Sequence, residues 1–292
     1  MAEFYGDAIF NNVFFEGYAN FNSCYFEKEA DFTEVKFKGD AIFSAAQMLG
    51  KASFLLSKFY MNAYFIETNF GNSLDFNGSK FKKHAIFNGS HFNGKSSFWD
   101  SQFYRYALFE KSVFNSDFLL DGARFKEEIL DLKGARFEDS KSREVSCRLA
   151  KKFSENNGDR ENADYYFFQE MDARRQRKPC YIQVFEIIFV RLIFGYGIHP
   201  FRLIFCWLLF VIAFGIHYWT ESGIDNTMGL PDCIKFSFAT AFAPGYIANV
   251  ISPGYMDYQP VLKYQAIAMI EAIFGTFMWA GFITTFARKY MR

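Results

Sequence analysis

The chain has 292 residues, with 32 Lys and Arg balanced by 32 Asp and Glu. A net charge of zero excludes recognition of nucleic acid by bulk charge, and the length fits about two domains. Aromatic residues make up 21%, mostly through 41 Phe, and five Cys (Cys24, Cys147, Cys180, Cys206, Cys233) form no CxxC pair, which excludes the common zinc and thiol-redox motifs.

Residues 1 to 30 are polar and dotted with Phe rather than basic then apolar. No secretory leader is expected, and unpaired Cys fit a reducing cytoplasm. Phe then recurs every eleven residues, at Phe10, Phe21, Phe32, Phe43, Phe54, Phe65, Phe76, Phe87, Phe98 and Phe109. A second series follows five residues behind, from Phe15 to Phe114, with Met48 at one position. Two residues before the first series stands a small residue, as in Ala8, Ala19, Ala30 and Ala41. Cys24, Val35, Ser57 and Ser79 hold the matching place before the second series. The register loosens after Phe114, but Ala123-Arg124-Phe125 and Ala135-Arg136-Phe137 continue it.

An eleven-residue apolar period also suits a right-handed coiled coil. Asn77-Gly78 and Asn88-Gly89 argue against that, because such pairs form turns and each Gly costs a helix about 1 kcal/mol. A small residue, a large residue and then a turn is the pattern of a β-solenoid, with Phe stacked on Phe from coil to coil. Residues 4 to 139 resemble the pentapeptide-repeat family, in its Phe-centred form. That resemblance implies a right-handed, quadrilateral β-helix with about 22 residues per coil and about six coils. Some family members mimic DNA, which requires a strongly acidic surface. Residues 1 to 139 hold 19 acids and 15 bases, so a spacing rod, or a docking surface for a cytoplasmic protein or ligand, is expected instead. His84 and His91 lie outside the Phe series and read as surface residues, not metal ligands.

Residues 140 to 178 read as a helical capping connector. One helix carries Val145, Leu149 and Phe153 on one face, Asn157-Gly158 stops it, and Asp159 caps a second helix carrying Ala163, Phe167 and Met171. Two such helices would close the last coil. Arg174, Arg175, Arg177 and Lys178 form a basic cluster expected to meet lipid headgroups. Residues 179 to 198 read as an amphipathic helix in the membrane interface, ending at Gly195-Tyr196-Gly197.

Residues 199 to 292 are expected to form a pore domain with two transmembrane spans, near 201 to 220 and 263 to 288. Tyr218 and Trp219 mark one interface, and Arg288, Lys289 and Arg292 follow the second span. The basic residues flank the outer ends of both spans, which puts both termini in the cytoplasm of a multi-pass protein of the cell membrane. Between the spans, Leu230-Pro231-Asp232 starts a short helix, and Pro244-Gly245 ends it. A stretch this short does not cross a bilayer, so a re-entrant pore helix and loop are predicted over residues 231 to 249.

This region resembles the two-span, pore-loop potassium-channel superfamily, whose filter reads Thr-x-Thr-Thr-Val-Gly-Tyr-Gly-Asp after Phe-Ser-x-x. Phe236, Ser237, Thr240, Gly245, Tyr246 and Pro253 match. Phe242 and Ala243 replace two Thr, Pro244 replaces Val, Ile247 the second Gly and Ala248 the Asp. The resemblance implies a selectivity filter at Thr240, Ala241, Phe242, Ala243, Pro244, Gly245 and Tyr246. The departures imply weak selectivity, since Ile247 resists positive φ and Ala243 has no hydroxyl. Glu271, an acid inside a span, matches the superfamily's Glu-x-x-x-Gly with Gly275. It reads as bracing the filter through Thr240 or the backbone near Pro244, or else as a protonated acid paired with Thr276 or Trp279. Gly275 and Gly281 read as hinges or as close-packing positions, and Phe282 and Phe286 as an apolar gate or as core and lipid-facing residues.

The expected fold is therefore multidomain: a quadrilateral β-helix joined to an all-α two-span pore domain. One pore loop cannot enclose a pore, so a homotetramer conducting monovalent cations with weak selectivity is expected. A potassium-selective channel with a rebuilt filter, and a non-conducting membrane scaffold, stand as alternatives. No catalytic constellation, metal-ligand spacing, cofactor motif or voltage-sensing Arg ladder is visible, so no enzyme and no nucleic-acid partner are expected.

Overall fold

The structure, a computed structural model, describes residues 2–197, 200–221, 229–242 and 262–290. It divides into two compact units, Met1–Lys178 and Pro179–Arg292.

The first unit opens with 25 strands of two residues each, β1 (Glu3–Phe4) through β25 (Arg136–Phe137). They form four parallel sheets, each joining every fourth strand, which makes a four-sided β-helix. The register is 22 residues per coil, as in Glu3 opposite Tyr25 and Lys58 opposite Lys80. In the last coil Ala107 faces Leu130 and Val113 faces Arg136, one residue more. The looser spacing after Phe114 is that single insertion.

Both Phe series point inward and build the core. Their rings stack between coils at 4.6 Å (Phe92–Phe114) to 5.3 Å (Phe15–Phe37), close to the strand spacing itself. Successive sides meet edge to face, as in Phe43–Phe54 at 5.2 Å and 87°. Ala fills the narrow positions on two sides: Ala30, Ala41, Ala63, Ala85 and Ala107 are fully buried. The buried Ser and Thr at the corners do more than fill space. Ser79 Oγ donates to the Phe54 carbonyl at 2.7 Å, Thr68 to Phe43 at 2.8 Å, and Ser112 to Phe87 at 2.7 Å. Each of these carbonyls also accepts the amide three residues on, so the hydroxyl from the next coil is its second donor and ties the two coils together at the corner.

Every eleven residues one corner residue takes positive φ: Asn12, Ser23, Glu34, Ala45, Leu56 and Glu67, then Gly78 and Gly89. Only Gly adopts this conformation without steric strain. Ala45 is exposed, so its replacement isolates the backbone effect. Ala45→Gly is expected to raise stability by about 0.5–1 kcal/mol, and Ala45→Val to lower it by at least about 1 kcal/mol. Denaturant midpoints check both signs.

Two helices close the last coil. α1 (Ser140–Asn156) starts at Asp139, whose side chain accepts from the Lys141 and Ser142 amides, and ends at Asn157. α2 (Arg160–Gln176) starts at Asp159, which accepts from the Asn162 amide. Cys147, Ala150, Phe153 and Tyr166 join the β-helix core, and Phe153 lies 5.2 Å from Phe125. Side chains from the helices also satisfy the open strand edges. Ser142 Oγ accepts from the Phe118 amide, Tyr166 Oη from Leu132 and Tyr165 Oη from Gly134, each at 3.0 Å. Val145 is exposed rather than inward. The Phe rings already fill the end of the core, so small residues fit there better than Val.

Acids are buried between α1 and α2. Glu170 accepts from Lys151 at 2.7 Å and Arg148 at 2.9 Å, and Asp172 pairs with Arg143 and Arg175. Burial alone would raise the Glu170 pKa, but these hydrogen bonds outweigh it and hold the carboxyl below its usual range. A carboxyl lowered on folding stabilises fully above its unfolded value, near 4.3, and that contribution is lost as pH falls through the folded value. Amide exchange in α1 and α2 is therefore expected to quicken below about pH 4, ahead of the mid-rod strands. Equal acceleration throughout the rod would count against it.

The same network takes in part of the basic cluster. Arg175 is buried and bonds Asp172 at 2.8 Å, while Arg177 reaches the buried Glu144 at 3.1 Å and Arg174 lies 3.7 Å from it. Arg175 is enclosed by the cap, while Arg174 and Arg177 serve Glu144 and keep about half of their side chains exposed, 53% and 46%. A buried carboxylate needs a counter-charge, and they supply it. Burial pushes the Cys147 thiol up to about 12, so the group is inert near neutrality.

The second unit is helical. α3 (Cys180–Phe185) continues as a wider π-helical stretch, Glu186–Ile193, and a 3₁₀ turn at Gly195–Gly197. Then come α4 (Pro200–Thr220), α5 (Leu230–Phe242) and α6 (Leu262–Tyr290).

Candidate functional site

Among the described residues, two stretches are long and apolar enough to cross a membrane: Phe201–Thr220 of α4 and Ala266–Ala287 of α6. Only 22% and 17% of them is buried within the structure, so most of their apolar surface has no cover from this chain. α5 packs against both. Its 13 residues span about 20 Å, well short of the roughly 30 Å hydrocarbon core of a bilayer.

Glu271 joins all three helices. It is fully buried on α6 and accepts a hydrogen bond from Tyr218 Oη of α4 at 2.8 Å. Its other carboxyl oxygen accepts from Ser237 Oγ of α5. Ser237 Oγ also lies 2.8 Å from the Val211 carbonyl of α4. Tyr218 and Ser237 are themselves fully buried. Thr240, expected to take part in bracing, donates to the Phe236 carbonyl at 2.9 Å, and Thr276, expected to pair with a protonated acid, donates to Ala272 at 2.8 Å; the backbone near Pro244 lies outside the described residues.

Close backbone contacts flank this cluster. A Cβ at Gly275 would overlap the Ala241 carbonyl and lie 2.6 Å from the Ala241 Cα. A Cβ at Gly215 would lie 2.8 Å from the Ile234 Cα. Both glycines let a span approach α5. Gly281 carries the edge of the Phe194 ring, which a Cβ would displace. In this structure, then, Gly275 and Gly281 are close-packing positions.

Of the expected filter residues, Thr240, Ala241 and Phe242 form the last turn of α5. Ala243, Pro244, Gly245 and Tyr246 lie outside the described residues, as do Ile247 and Ala248. Ala241 is buried on Gly275. The Phe242 ring packs 5.1 Å from Trp279 and 5.6 Å from Phe238. Phe282 packs 5.5 Å from Trp279, and Phe286 lies 5.7 Å further along. Among the described residues, no three of His, Cys, Asp and Glu stand together as metal ligands.

Residues 56–102 match a family model described as pentapeptide repeats, in nine copies. Those coils of the β-helix carry pentapeptide repeats. No curated protein and no solved structure gives a significant match to the chain. The pentapeptide-repeat match covers the rod's middle coils, so the helical unit is read from its own residues.

Three participants in the helical cluster were not singled out by sequence: Tyr218 as a partner, Ser237 as a donor and Gly215 as a contact. The signal was present. Leu203, Trp207, Val211, Gly215 and Tyr218 recur at three- and four-residue spacing, and the four non-glycine members are buried. Tyr218 belongs to that inward stripe, while Trp219, its neighbour, is 49% exposed. Chemically, the cluster offers two hydroxyl donors converging on one carboxyl in an apolar setting. It fixes α5 against both apolar helices.

Proposed function

We propose that the helical unit is a membrane pore module, and that four chains assemble to conduct monovalent cations with weak selectivity. The observation that carries this reading is α5: a helix too short to span, held between two helices that can, and tied to both through Glu271. A short helix with that support suits a re-entrant segment whose C-terminal end, the negative pole of its dipole, is turned toward a water-filled axis. The loop after Phe242 would then line the pore through Thr240 to Tyr246, and Phe282 and Phe286 would form its apolar constriction. The carrier of these roles is the chain itself, with no cofactor, and the pentapeptide-repeat rod would lie in the cytoplasm.

The large uncovered apolar area of α4 and α6 supports lipid or a second copy as its natural cover. Purified protein in liposomes tests the reading directly. Cation flux that disappears on Gly245→Leu is expected, together with a particle of four copies. Absence of flux from a correctly inserted protein would leave a membrane-anchored scaffold displaying the β-helix. Reversal potentials near zero in asymmetric potassium and sodium are expected, and a strong potassium preference would replace weak selectivity with a rebuilt potassium filter.

A further inference from the structure

The total charge of the β-helix is nearly balanced, but its four sides are not alike. On the side formed by β3 (Phe14–Phe15), β7 (Lys36–Phe37), β11 (Lys58–Phe59), β15 (Lys80–Phe81), β19 (Gln102–Phe103) and β23 (Arg124–Phe125), two outward rows run along the rod. The first reads Lys36, Lys58, Lys80, Gln102 and Arg124 in register. The second, one position beyond each inward Phe, reads Glu16, Lys38, Tyr60, Lys82, Tyr104 and Lys126. Seven of the 15 Lys and Arg in residues 1–139 stand in these rows, against one acid.

Three Lys stacked on adjacent strands repel one another, and the fold has no need of them there. The equivalent row on the opposite side carries Gln47 and Asn69, joined by a 3.0 Å amide hydrogen bond. In the second row the ammonium groups lie over aromatic rings: Lys38 over Tyr60 at 4.1 Å, Lys82 and Lys126 over Tyr104 at 3.5 and 4.5 Å. A hydrogen bond with Lys82, and the charges of Lys82, Lys126 and Lys80, hold the Tyr104 hydroxyl below the usual phenol range. Among the described residues, none of Lys36, Lys58, Lys80 and Lys82 is in an ion pair. Exposed Leu56 and Trp99 rim one edge of this side, and Met61 and Tyr106 the other.

A flat cationic strip rimmed by apolar and aromatic side chains fits a surface with anions at one depth and apolar material just below it. We propose that this side of the β-helix is a docking surface for a bilayer containing anionic lipid, with the two Lys rows meeting the headgroup phosphates and carboxylates. The inference rests on the membrane reading of α4 and α6, because spans in the same chain keep a bilayer within reach of the rod.

The test uses the full chain in lipid nanodiscs of phosphatidylcholine alone, or with about 30 mol per cent phosphatidylserine. Each Lys is followed by mass spectrometry during acylation with a water-soluble amine reagent. Lys36, Lys58, Lys80 and Lys82 are expected to react at least about threefold more slowly in the anionic discs, and about 1 M salt should remove the difference. Lys51, Lys95 and Lys133, on other sides, should be unchanged. Lys58→Glu with Lys80→Glu should also remove the protection of Lys36. Equal reactivity in the two discs overturns the inference alone, and points to another polyanion. A chain that enters neither disc overturns the membrane reading and the inference with it.

Discussion

Phe65→Ala is expected to destabilise the β-helix by about 3–5 kcal/mol, the range for deleting a buried aromatic ring. Phe65 is fully buried. It stacks on Phe43 at 5.0 Å and Phe87 at 4.8 Å, and meets Phe54 and Phe76 edge to face at 5.3 and 5.4 Å. These four neighbours are held by their own ladders, so the site cannot collapse around the loss. Each ring pair adds about 0.5–1.5 kcal/mol beyond burial, which puts the effect toward the upper end. The position also matters. A solenoid is stabilised coil against neighbouring coil, so a defect in its middle uncouples the two halves. The half next to α1 and α2 keeps its cap and should unfold last. Phe10→Ala, in the first coil where the ring is half-buried, should cost about 1–2 kcal/mol. Denaturant unfolding with exchange protection by coil separates the cases. Similar losses for the two variants would show that the ring ladder does not set the stability.

The rod could be read from the sequence because one physical constraint repeats. A stacked coil must place like on like, so Phe at an eleven-residue spacing declares both the inward face and the register. The charge pattern could not be read in the same way. A coil has 22 residues, so an eleven-residue reading lays opposite sides on top of each other. Lys36, Lys58 and Lys80 are 22 apart, and the positions between them, Gln47 and Asn69, belong to the opposite sheet. Counting charges over the whole rod therefore gave balance where one side is basic.

In the helical parts, periodicity found the elements but not the partners. Arg175 read as part of a basic cluster meeting lipid headgroups because its counter-charge is set by the packing of α2 on α1. The acid it serves, Asp172, is buried for that reason. Glu271 was legible as an unusual acid, and its neighbour Gly275 as a small residue. What it bonds depends on which turn of α5 lies level with it. The close approach at Gly275 sets that level, bringing Ala241 against Gly275 and Ser237, one turn earlier, against Glu271. Thr240 points away from that meeting, and its hydroxyl turns back on its own helix.

Glu271→Ala is expected to loosen the helical unit by about 3 kcal/mol, since it leaves the buried Tyr218 and Ser237 hydroxyls with no shared acceptor and opens a void between three helices. Glu271→Gln should keep most of the stability. Its amide oxygen can accept from Tyr218, its NH₂ can donate to Ser237 Oγ, and Ser237 can then donate to the Val211 carbonyl at 2.8 Å. A charge is not required for this geometry, but two-sided hydrogen bonding is. Tyr218→Phe removes one donor and should cost about 1–2 kcal/mol; combined with Glu271→Ala it should add little more, because the two groups form one pair. Thermal melting of the protein in nanodiscs gives the order Ala, then Tyr218→Phe, then Gln from worst to best. If Gln is as damaging as Ala, the carboxyl acts through charge rather than through this hydrogen-bonded junction. The pore reading adds a second measurement on the same variants. A junction that seats α5 should, when broken, lower cation flux per inserted particle in Glu271→Ala and leave it near the parent level in Glu271→Gln, while Gly245→Leu removes flux with no loss of melting temperature.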